Sequence, residues 1–442
     1  MISRPPLPSG PLLVVGLARS GVAAAFAARE RGREVAGVDS KSVPDSVGDA
    51  LRAAGIEVRT ADDGVAWLTP ETTVVKSPGV PQDAAVVVAA RERGLPVIGE
   101  LELAWRMLPN PFVAVTGSNG KTTTVELLGH IFEQAGKPAR VAGNVGTALS
   151  SLAGKLDDDA VVICEASSFQ LEDTDAFAPE VAVLLNVADD HLDRHKTSEA
   201  YRAAKLRIFA RQPPGTFAVV PEHFQLADVA GDATKVTFGS NSAPGMCDHD
   251  DALWWEGELL IPNADIRLRG AHNRENAMAA ATSALCFGLP REAVVAGLES
   301  FSGVAHRLEE VATRDGVLYV NDSKATNVAS AVVGISSFES GVHVILGGRG
   351  KGGDYTPLTQ AVAAHCARVY VIGESAPEIA SAVATAAVPV SDCGDLETAV
   401  ARARAAAAPG EVVLLSPACA SFDQFESFEE RGRRFRELVQ DS

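Results

Sequence analysis

A short apolar run followed by a glycine-rich turn and a Lys-Thr pair constrains the fold of this 442-residue chain more than any other stretch. Residues 112–115 are typical of a buried strand in a parallel sheet, and a helical pattern of apolar residues begins at Val125. The segment between the strand and the helix contains Gly117, Ser118, Asn119, Gly120, Lys121, Thr122 and Thr123.

Strand, glycine loop, Lys-Thr and helix in this order predict a site for the phosphates of a nucleoside triphosphate. Backbone N–H groups of such a loop, and of the helix N-terminus, direct positive partial charge toward phosphate oxygens. We expect Lys121 to reach the β- and γ-phosphates and the Thr122 hydroxyl to bind the accompanying magnesium ion. The loop is a shortened variant, because Val115 stands where the usual pattern has its first glycine. The alternative is an ordinary strand-to-helix turn.

The bulk composition restricts the class of protein. A net charge of −18 disfavours a general binder of nucleic acid or of anionic membranes, because phosphate backbones require a compensating basic face. The six cysteines are scattered without a Cys-x-x-Cys pair, which predicts free thiols rather than disulfides or a zinc site. No apolar run approaches the roughly 18 residues of a membrane helix. We therefore expect a cytoplasmic protein with no membrane span. We also expect a monomer, although none of these features determines the oligomeric state.

Alternating strand and helix patterns predict an α/β protein with three domains, since the chain is too long for a single core. We place the domains at residues 1–108, 109–302 and 303–442. The first and third are predicted to be Rossmann-like with parallel sheets. The central domain is predicted to be P-loop ATPase-like, with a mostly parallel sheet and an irregular, β-like stretch over 212–269.

The first domain contains a weakened dinucleotide-binding fingerprint. Gly16 and Gly21 follow the first strand, and Asp39 lies about twenty residues further on, as in that fingerprint. Ala18 replaces the middle glycine, at the position where the backbone must approach a pyrophosphate closely. A diphosphate held less closely at the same helix N-terminus remains open, and a dehydrogenase is the weaker alternative.

Polar residues gather where predicted strands end, which is where open α/β sheets bind ligands. Glu165 follows the strand 160–164 and is well placed to hold Mg²⁺ near the phosphate loop. His191 follows the strand 181–187, and a structural and a functional role are about equally supported. Lys205 lies in a predicted amphipathic helix, where the ordinary interpretation is a solvated lysine. Three further polar groups, at 321–326, 347–353 and 416–421, follow strands of the third domain.

Motif-like stretches in all three domains resemble, in the same order, those of the Mur ligase family, the ATP-dependent amide-forming enzymes of peptidoglycan precursor synthesis. Ser-Ser-Phe-Gln-Leu, Asn-Asp-Ser-Lys-Ala-Thr-Asn and Ser-Pro-Ala-Cys-Ala-Ser are similar to the branch that adds D-glutamate. The Asp-Asn-Pro-Arg motif of the branch that adds a diamino acid is absent from the sequence. The resembling stretches are 116–123, 142–146, 165–172, 186–193, 203–208, 272–276, 306–307, 321–327 and 415–425.

The resemblance implies a reaction as well as a fold. ATP would phosphorylate the terminal carboxylate of UDP-N-acetylmuramoyl-L-alanine, and the amine of D-glutamate would attack the acyl phosphate. Two Mg²⁺ ions are implied, and in this family the lysine that matches Lys205 is carbamylated, which makes it an anionic metal ligand. The implied catalytic residues are Lys121, Glu165, His191 and Lys205. The implied metal ligands are Thr122, Glu165, His191 and Lys205.

The resemblance also implies binding residues for each substrate. The adenosine part of ATP would contact Asn276, Arg307, Asp322, Lys324 and Thr326, with His306 beside them. The muramoyl or alanyl portion would contact Asn144, Ser167 and Gln170. D-Glutamate would contact Lys351, Ser421 and the backbone near Phe428. Uridine diphosphate would contact Arg19, Ser20, Asp39, Ser40 and Gly79. One departure from the family pattern is Arg349, which stands where an acidic residue is frequent.

Three alternatives to this interpretation stay open. A folylpolyglutamate synthase shares the fold and the acyl-phosphate chemistry, but it would lack a uridine-nucleotide domain such as residues 12–99. A Rossmann dehydrogenase fused to a regulatory nucleotide domain is suggested by the stretch from Gly16 to Asp39. A catalytically silent ATP-binding protein is disfavoured because Lys121 and Glu165 are both present.

Overall fold

The computed structural model describes residues 2–188, 190, 192–240, 245–268, 270–350 and 354–440. The chain forms two compact units, of which the first comprises Met1–Ile266 with His272–Phe301. The second comprises Arg267–Ala271 with Ser302–Ser442. Over these described ranges the first unit contains two sheets and the second contains one, and the predicted α/β class with mostly parallel sheets is confirmed.

The N-terminal sheet has five parallel strands. The central strands at 12–15 and 73–76 are buried throughout, which explains their consecutive apolar residues, whereas the edge strand at 57–60 alternates between exposed and more buried residues. The strands are β1 Leu12–Val15, β2 Val35–Asp39, β3 Glu57–Thr60, β4 Thr73–Lys76 and β5 Val97–Gly99. The helices are α1 Arg19–Glu30, α2 Asp45–Ala53, α3 Ala85–Glu92 and α4 Glu100–Met107. The strand order is β3-β2-β1-β4-β5.

The central sheet has nine strands. They are β6 Phe112–Thr116, β7 Ala139–Gly143, β8 Val161–Glu165, β9 Val181–Leu184, β10 Phe217–Pro221, β11 Thr234–Gly239, β12 Gly245–His249, β13 Ala252–Trp255 and β14 Glu258–Pro262. The helices are α5 Lys121–Gln134, α6 Ser168–Leu171, α7 Leu192–His195, α8 Ser198–Leu206, α9 Ala271–Phe287 and α10 Arg291–Ser300. The order is β14-β13-β12-β11-β10-β9-β6-β8-β7, and only the pairs β12–β13 and β13–β14 are antiparallel.

The sheet of the second unit has six strands. They are β15 Glu309–Arg314, β16 Val317–Asn321, β17 Val342–Gly347, β18 Cys366–Ile372, β19 Val390–Gly394 and β20 Val412–Leu415. The helices are α11 Val328–Ile335, α12 Leu358–His365, α13 Ala376–Val383, α14 Leu396–Ala406 and α15 Phe428–Gln440. The order is β15-β16-β20-β17-β18-β19, with β15 antiparallel to β16. The edge strand β15 was not predicted, because its side chains are mostly half-exposed and polar.

Helix α9 begins at Ala271, so Asn276 lies inside it. One predicted boundary near the phosphate loop is wrong. Strand β9 ends at Leu184 rather than at 187, because the chain turns there toward the loop. The N–H of Ser118 donates to the Asn186 carbonyl oxygen at 3.0 Å, which fixes this turn.

Among the helices of the described ranges, none has both the length and the apolar character needed to cross a bilayer.

Candidate functional site

The predicted phosphate loop connects β6 to α5, and the helix begins at Lys121. The Lys121 ammonium donates to the carbonyl oxygens of Gly117 at 2.8 Å and Ser118 at 2.9 Å, so it lies against its own loop. Gly120 has a φ of +85°, and a Cβ added there would lie 2.1 Å from Asn276 Oδ1. Glycine is therefore required at this position, both by the backbone and by the close approach of α9.

Glu165 links the phosphate loop to a second polar side chain at the strand ends. The Thr122 hydroxyl donates to Glu165 Oε2 at 2.8 Å, and the Asn144 amide donates to Oε1 at 3.0 Å. Glu165 is only 2% exposed, as expected for the last residue of a central strand. A carboxylate and a hydroxyl oxygen beside a phosphate loop are hard oxygen ligands of the kind that Mg²⁺ prefers.

The described residues offer few protein ligands for a magnesium ion. Within the ranges that the structure describes, no group of three or more His, Cys, Asp or Glu residues is arranged to hold a metal ion. Mg²⁺ is commonly held by one or two protein oxygens, with phosphates and water completing the octahedron, so Thr122 and Glu165 suit it. His191, the predicted ligand of a second ion, lies outside the described residues.

Lys205 is not a solvated lysine, and that interpretation of its residue pattern is wrong. Its side chain is 1% exposed, and its ammonium donates to the Gly117 carbonyl oxygen at 2.7 Å. It also lies 4.5 Å from the centroid of the Tyr201 ring. Burial, followed by the charge of Lys121, lowers the pKa of Lys205 to about 7, while Asp190 opposes the shift. Lys205 thus contacts the back of the phosphate loop.

A cavity of about 920 Å³ lies beyond the ends of β1, β2 and β4. Its lining includes polar residues predicted to bind the uridine diphosphate and muramoyl parts of the substrate: Arg19, Ser20, Asp39, Ser40, Gly79, Asn144 and Gln170. Ser167, also predicted there, is the N-cap of α6 and forms a capping box with Gln170. The structure therefore brings seven of these residues to one cavity, and Ser167 lies behind it, hydrogen-bonded to the lining residue Gln170.

The weakened fingerprint forms part of the cavity wall. Asp39 accepts hydrogen bonds from the N–H groups of Leu17 at 2.7 Å and Lys41 at 2.9 Å, so it holds two loops in place. Gly16 has a φ of +87°, and a Cβ on Gly21 would lie 1.9 Å from the Gly16 carbonyl oxygen. Sequence reasoning missed the lining residues Asp62 and Asp63, although their position after β3 was a usable signal.

In the second unit, Asp322 follows β16 and is nearly buried. It accepts hydrogen bonds from the Ser416 hydroxyl at 2.7 Å and the Leu308 N–H at 3.3 Å. Burial raises the pKa of Asp322 to about 7, against the effects of these donors and of the Arg307 charge. Arg307 and Asp322, predicted to contact the adenosine part, therefore lie near one another.

Lys324, Thr326 and His306 lie close by in the same unit, whereas Asn276 lies in the first unit beside Gly120. The Lys324 N–H donates to the His306 carbonyl oxygen at 3.0 Å, and the Lys324 ammonium lies 5.8 Å from the centroid of the Phe428 ring. The Thr326 N–H donates to the Lys324 carbonyl oxygen at 2.8 Å. His306 packs edge-to-face against Phe428, with 6.2 Å between ring centroids.

Of the predicted D-glutamate residues, Ser421 and Phe428 are described and Lys351 lies outside the described residues. The Ser421 hydroxyl is buried and finds no hydrogen-bond partner among the described residues. Phe428 begins α15, and its carbonyl oxygen accepts a hydrogen bond from the Ser323 hydroxyl at 2.8 Å. Arg349, the departure from the family pattern, forms a two-pronged exposed pair with Glu374 at 2.9 and 2.8 Å.

Arg431, which the sequence did not single out, is almost completely buried, with 1% of its surface exposed. Its guanidinium donates to the Ser323 hydroxyl at 3.0 Å and to the Cys419 carbonyl oxygen at 3.1 Å, so it joins the loops after β16 and β20. Burial lowers its pKa to about 10. Its position in a charged run concealed it, but its spacing with buried Phe435 and Val439 places all three on one helix face.

Comparisons with known proteins match most of the chain. The family models described as "Mur ligase MurD-like, N-terminal domain", "Mur ligase middle domain" and "Mur ligase, glutamate ligase domain" match residues 11–99, 115–284 and 306–419.

Similar full-length proteins carry one enzyme name. The UDP-N-acetylmuramoylalanine--D-glutamate ligase of Acidobacterium capsulatum is 42% identical, covering 97% of this chain and 95% of that protein. The ligase of the same name from Anaeromyxobacter dehalogenans is 43% identical, covering 99% of each chain. Among solved structures, MurF from Acinetobacter baumannii has a TM-score of 0.60 at 19% identity, covering 91% of each chain. At that identity the structural likeness concerns the fold alone.

Proposed function

The chain belongs to the Mur ligase family, and from this premise we propose that it joins D-glutamate to UDP-N-acetylmuramoyl-L-alanine while ATP is converted to ADP and phosphate. The observation that carries the proposal is the position of Glu165. Its two oxygens accept hydrogen bonds from Thr122 of the phosphate loop and from Asn144 of the cavity lining. A long acidic ligand in the cavity can therefore extend its far end toward a triphosphate on the loop.

The proposed chemistry has two steps. One oxygen of the substrate carboxylate attacks the γ-phosphorus, the bond to the β-phosphate oxygen breaks, and ADP leaves behind an acyl phosphate. The amine nitrogen of D-glutamate then attacks the acyl carbon, the amine loses a proton, and inorganic phosphate departs as the amide forms. In such transfers, positioning and charge stabilisation provide most of the catalysis. Lys121 and the loop N–H groups are proposed to supply both.

Magnesium ions, when bound, would neutralise phosphate charge, and Thr122 and Glu165 are the described residues that suit one ion. We include His191 and a carbamylated Lys205 as ligands in the proposal. Carbamylation would convert the buried Lys205 cation into an anion beside the Lys121 ammonium, which would turn a repulsion between two cations into an attraction.

The domain roles follow the same proposal. Residues 1–108 are proposed to hold the uridine nucleotide, 109–302 the ATP phosphates and 303–442 the incoming amino acid. Asn276, Arg307, Asp322, Lys324 and Thr326 are proposed to contact the adenosine part of ATP. Lys351, Ser421 and Phe428 are proposed to contact D-glutamate, and the buried Ser421 hydroxyl supports this because a ligand carboxylate would satisfy it. A cytoplasmic location and a monomeric state belong to the proposal as well.

The test is an ADP-release assay with UDP-N-acetylmuramoyl-L-alanine and a panel of amino acids that includes D-glutamate, L-glutamate and a diamino acid. We expect release with D-glutamate and not with the others, and loss of release in Lys121→Ala because phosphate charge would be uncompensated. Equal release with L-glutamate or the diamino acid, or none with any amino acid, would contradict the proposal. Tight binding of NAD(P)H instead would favour the dehydrogenase alternative.

A further inference from the structure

We infer that Lys76, Glu172, Asp173 and Arg194 form a positioning centre, here called the ion cluster, which fixes the distance between two walls of the substrate cavity. One wall is the loop 77–80 after β4, and the other is helix α6. The inference rests on the proposed function, and it deepens that proposal by assigning a positioning role to four residues that have no role in it. These residues position the cavity walls rather than contact the reacting atoms.

The ion cluster holds the loop through its carbonyl groups. Lys76 donates to the Val80 carbonyl oxygen at 2.8 Å. Arg194 donates to the carbonyl oxygens of Pro78 and Val80, both at 2.8 Å. Ser77, Pro78, Gly79 and Val80 all line the cavity. Three hydrogen bonds from two cations therefore determine the path of this cavity wall.

The same cations hold helix α6. Glu172 is the C-cap of α6, and it accepts a hydrogen bond from Arg194 at 2.8 Å. Lys76 forms ion pairs with Asp173 at 2.8 Å and with Glu172 at 3.6 Å. Gln170, which lines the cavity, lies in this short helix. The same two cations therefore join both walls of the cavity.

Helix α7 is attached to both ends of α6. Arg194 of α7 contacts Glu172 at the C-terminal end of α6, and His195 Nε2 lies 3.0 Å from the Ser168 hydroxyl at the N-terminal end. The Arg194 guanidinium also lies 4.4 Å from the centroid of the Phe169 ring. The distance between the two cavity walls is therefore coupled to the position of helix α7, which follows β9 in the chain.

The charges of the ion cluster are balanced and mostly buried, so each charged group is held close to its partners. Lys76 is 0% exposed, the Asp173 side chain is 2% exposed, and Glu172 and Arg194 are each 14% exposed. Two cations face two carboxylates, so removal of one partner leaves a buried charge without compensation. An apolar replacement would also leave the carbonyl groups of the loop without donors, which is why packing alone cannot reproduce this arrangement.

The test compares Arg194→Gln with Arg91→Gln. Arg91 lies 3.7 Å from the same Asp173, but its side chain is 48% exposed and no described hydrogen bond joins it to the loop carbonyls, so it is a matched control. We expect Arg194→Gln to raise the KM for UDP-N-acetylmuramoyl-L-alanine between about tenfold and a hundredfold, with less than about a threefold change in the KM for ATP. Arg194→Lys should recover part of the loss, and Arg91→Gln should match the wild type.

Equilibrium binding of UDP-N-acetylmuramoyl-L-alanine without ATP separates this inference from the proposed function. If the wild type binds this ligand but forms no amide, the proposed function fails, and weaker binding in Arg194→Gln still supports the positioning centre. If the wild type forms the amide and folded Arg194→Gln binds the ligand equally well, the inference is overturned. Should Arg194→Gln not fold, the neutral isostere Glu172→Gln replaces it, and failure of both to fold would assign the ion cluster to stability alone.

Discussion

Two regions of the first unit each bury a lysine, and they do so in opposite ways. At the cavity wall, Lys76 lies 2.8 Å from Asp173 and 3.6 Å from Glu172, so its charge is balanced by carboxylates. Behind the phosphate loop, Lys205 donates to the Gly117 carbonyl oxygen, and Asp190 offsets only part of the cost of burial. A buried ammonium that is balanced by carboxylates stays charged and holds the surrounding groups in place. A buried ammonium that is incompletely balanced loses its proton more readily, and the neutral amine can then react.

The largest expected effect is the loss of activity on substitution of Lys205, the incompletely balanced lysine. Lys205→Ala should lower the rate of ADP release by about 10³-fold, since the proposed anionic ligand is lost. Its free energy of unfolding should change little, because the substitution removes a poorly compensated buried charge. A short carboxylic acid in the assay should restore part of the rate. Wild-type activity of the variant would show that the two lysines do not differ as described.

Lys76→Met should affect mainly the stability of the protein rather than the rate of the chemical step. We expect a loss of about 3–5 kcal/mol in the free energy of unfolding, because buried Asp173 would lose its cation at 2.8 Å and keep only the half-exposed Arg91 at 3.7 Å. The double variant Lys76→Met/Asp173→Asn, which removes both charges, should recover much of this loss. Denaturant unfolding measures all three proteins, and an additive double variant would contradict the pairing.

Asp322 extends the comparison to a carboxyl group in the second unit. Burial raises its pKa from 3.8 to about 7, so its stabilising contribution is complete below pH about 4 and is lost as pH rises through about 7. We expect the wild type to lose about 2–4 kcal/mol relative to Asp322→Asn across this window. Unfolding of both proteins at several pH values measures the difference. Parallel stability curves would contradict the shift.

The smallest expected effect concerns the phosphate loop itself. Gly120→Ala should cost about 1–3 kcal/mol in the free energy of unfolding, since it combines a positive φ with a collision at Asn276. It should also raise the KM for ATP. Gly136→Ala is the control, because Gly136 has a φ of +64° and no atom of a described residue lies within 4 Å of an added Cβ. Equal costs for the two substitutions would remove the role assigned to Asn276.

Local patterns explain which parts of the fold and the site could be predicted from the sequence. The phosphate loop and Glu165 were placed correctly at strand ends, because apolar runs and turn residues identify such ends without knowledge of the rest. The burial of Lys205 had a weaker signal, the four-residue spacing from buried Tyr201 on α8. The pair Lys76–Asp173 had none, since it joins residues far apart in the chain and depends on how two sheets pack together.

The predictions of residue roles stay predictions, as do the domain boundaries at 108/109 and 302/303. The antiparallel edge strand β15 shows where periodicity fails. A polar, half-exposed strand does not produce the apolar pattern from which strands are inferred.

The most direct test of the central claim follows the oxygen atoms of the substrate carboxylate. UDP-N-acetylmuramoyl-L-alanine labelled with oxygen-18 in its terminal carboxylate is incubated with the wild-type protein, ATP, Mg²⁺ and D-glutamate, and the released inorganic phosphate is analysed by mass spectrometry. Transfer through an acyl phosphate predicts one labelled oxygen in each phosphate released. Phosphate without label, whether or not the amide forms, would contradict the account.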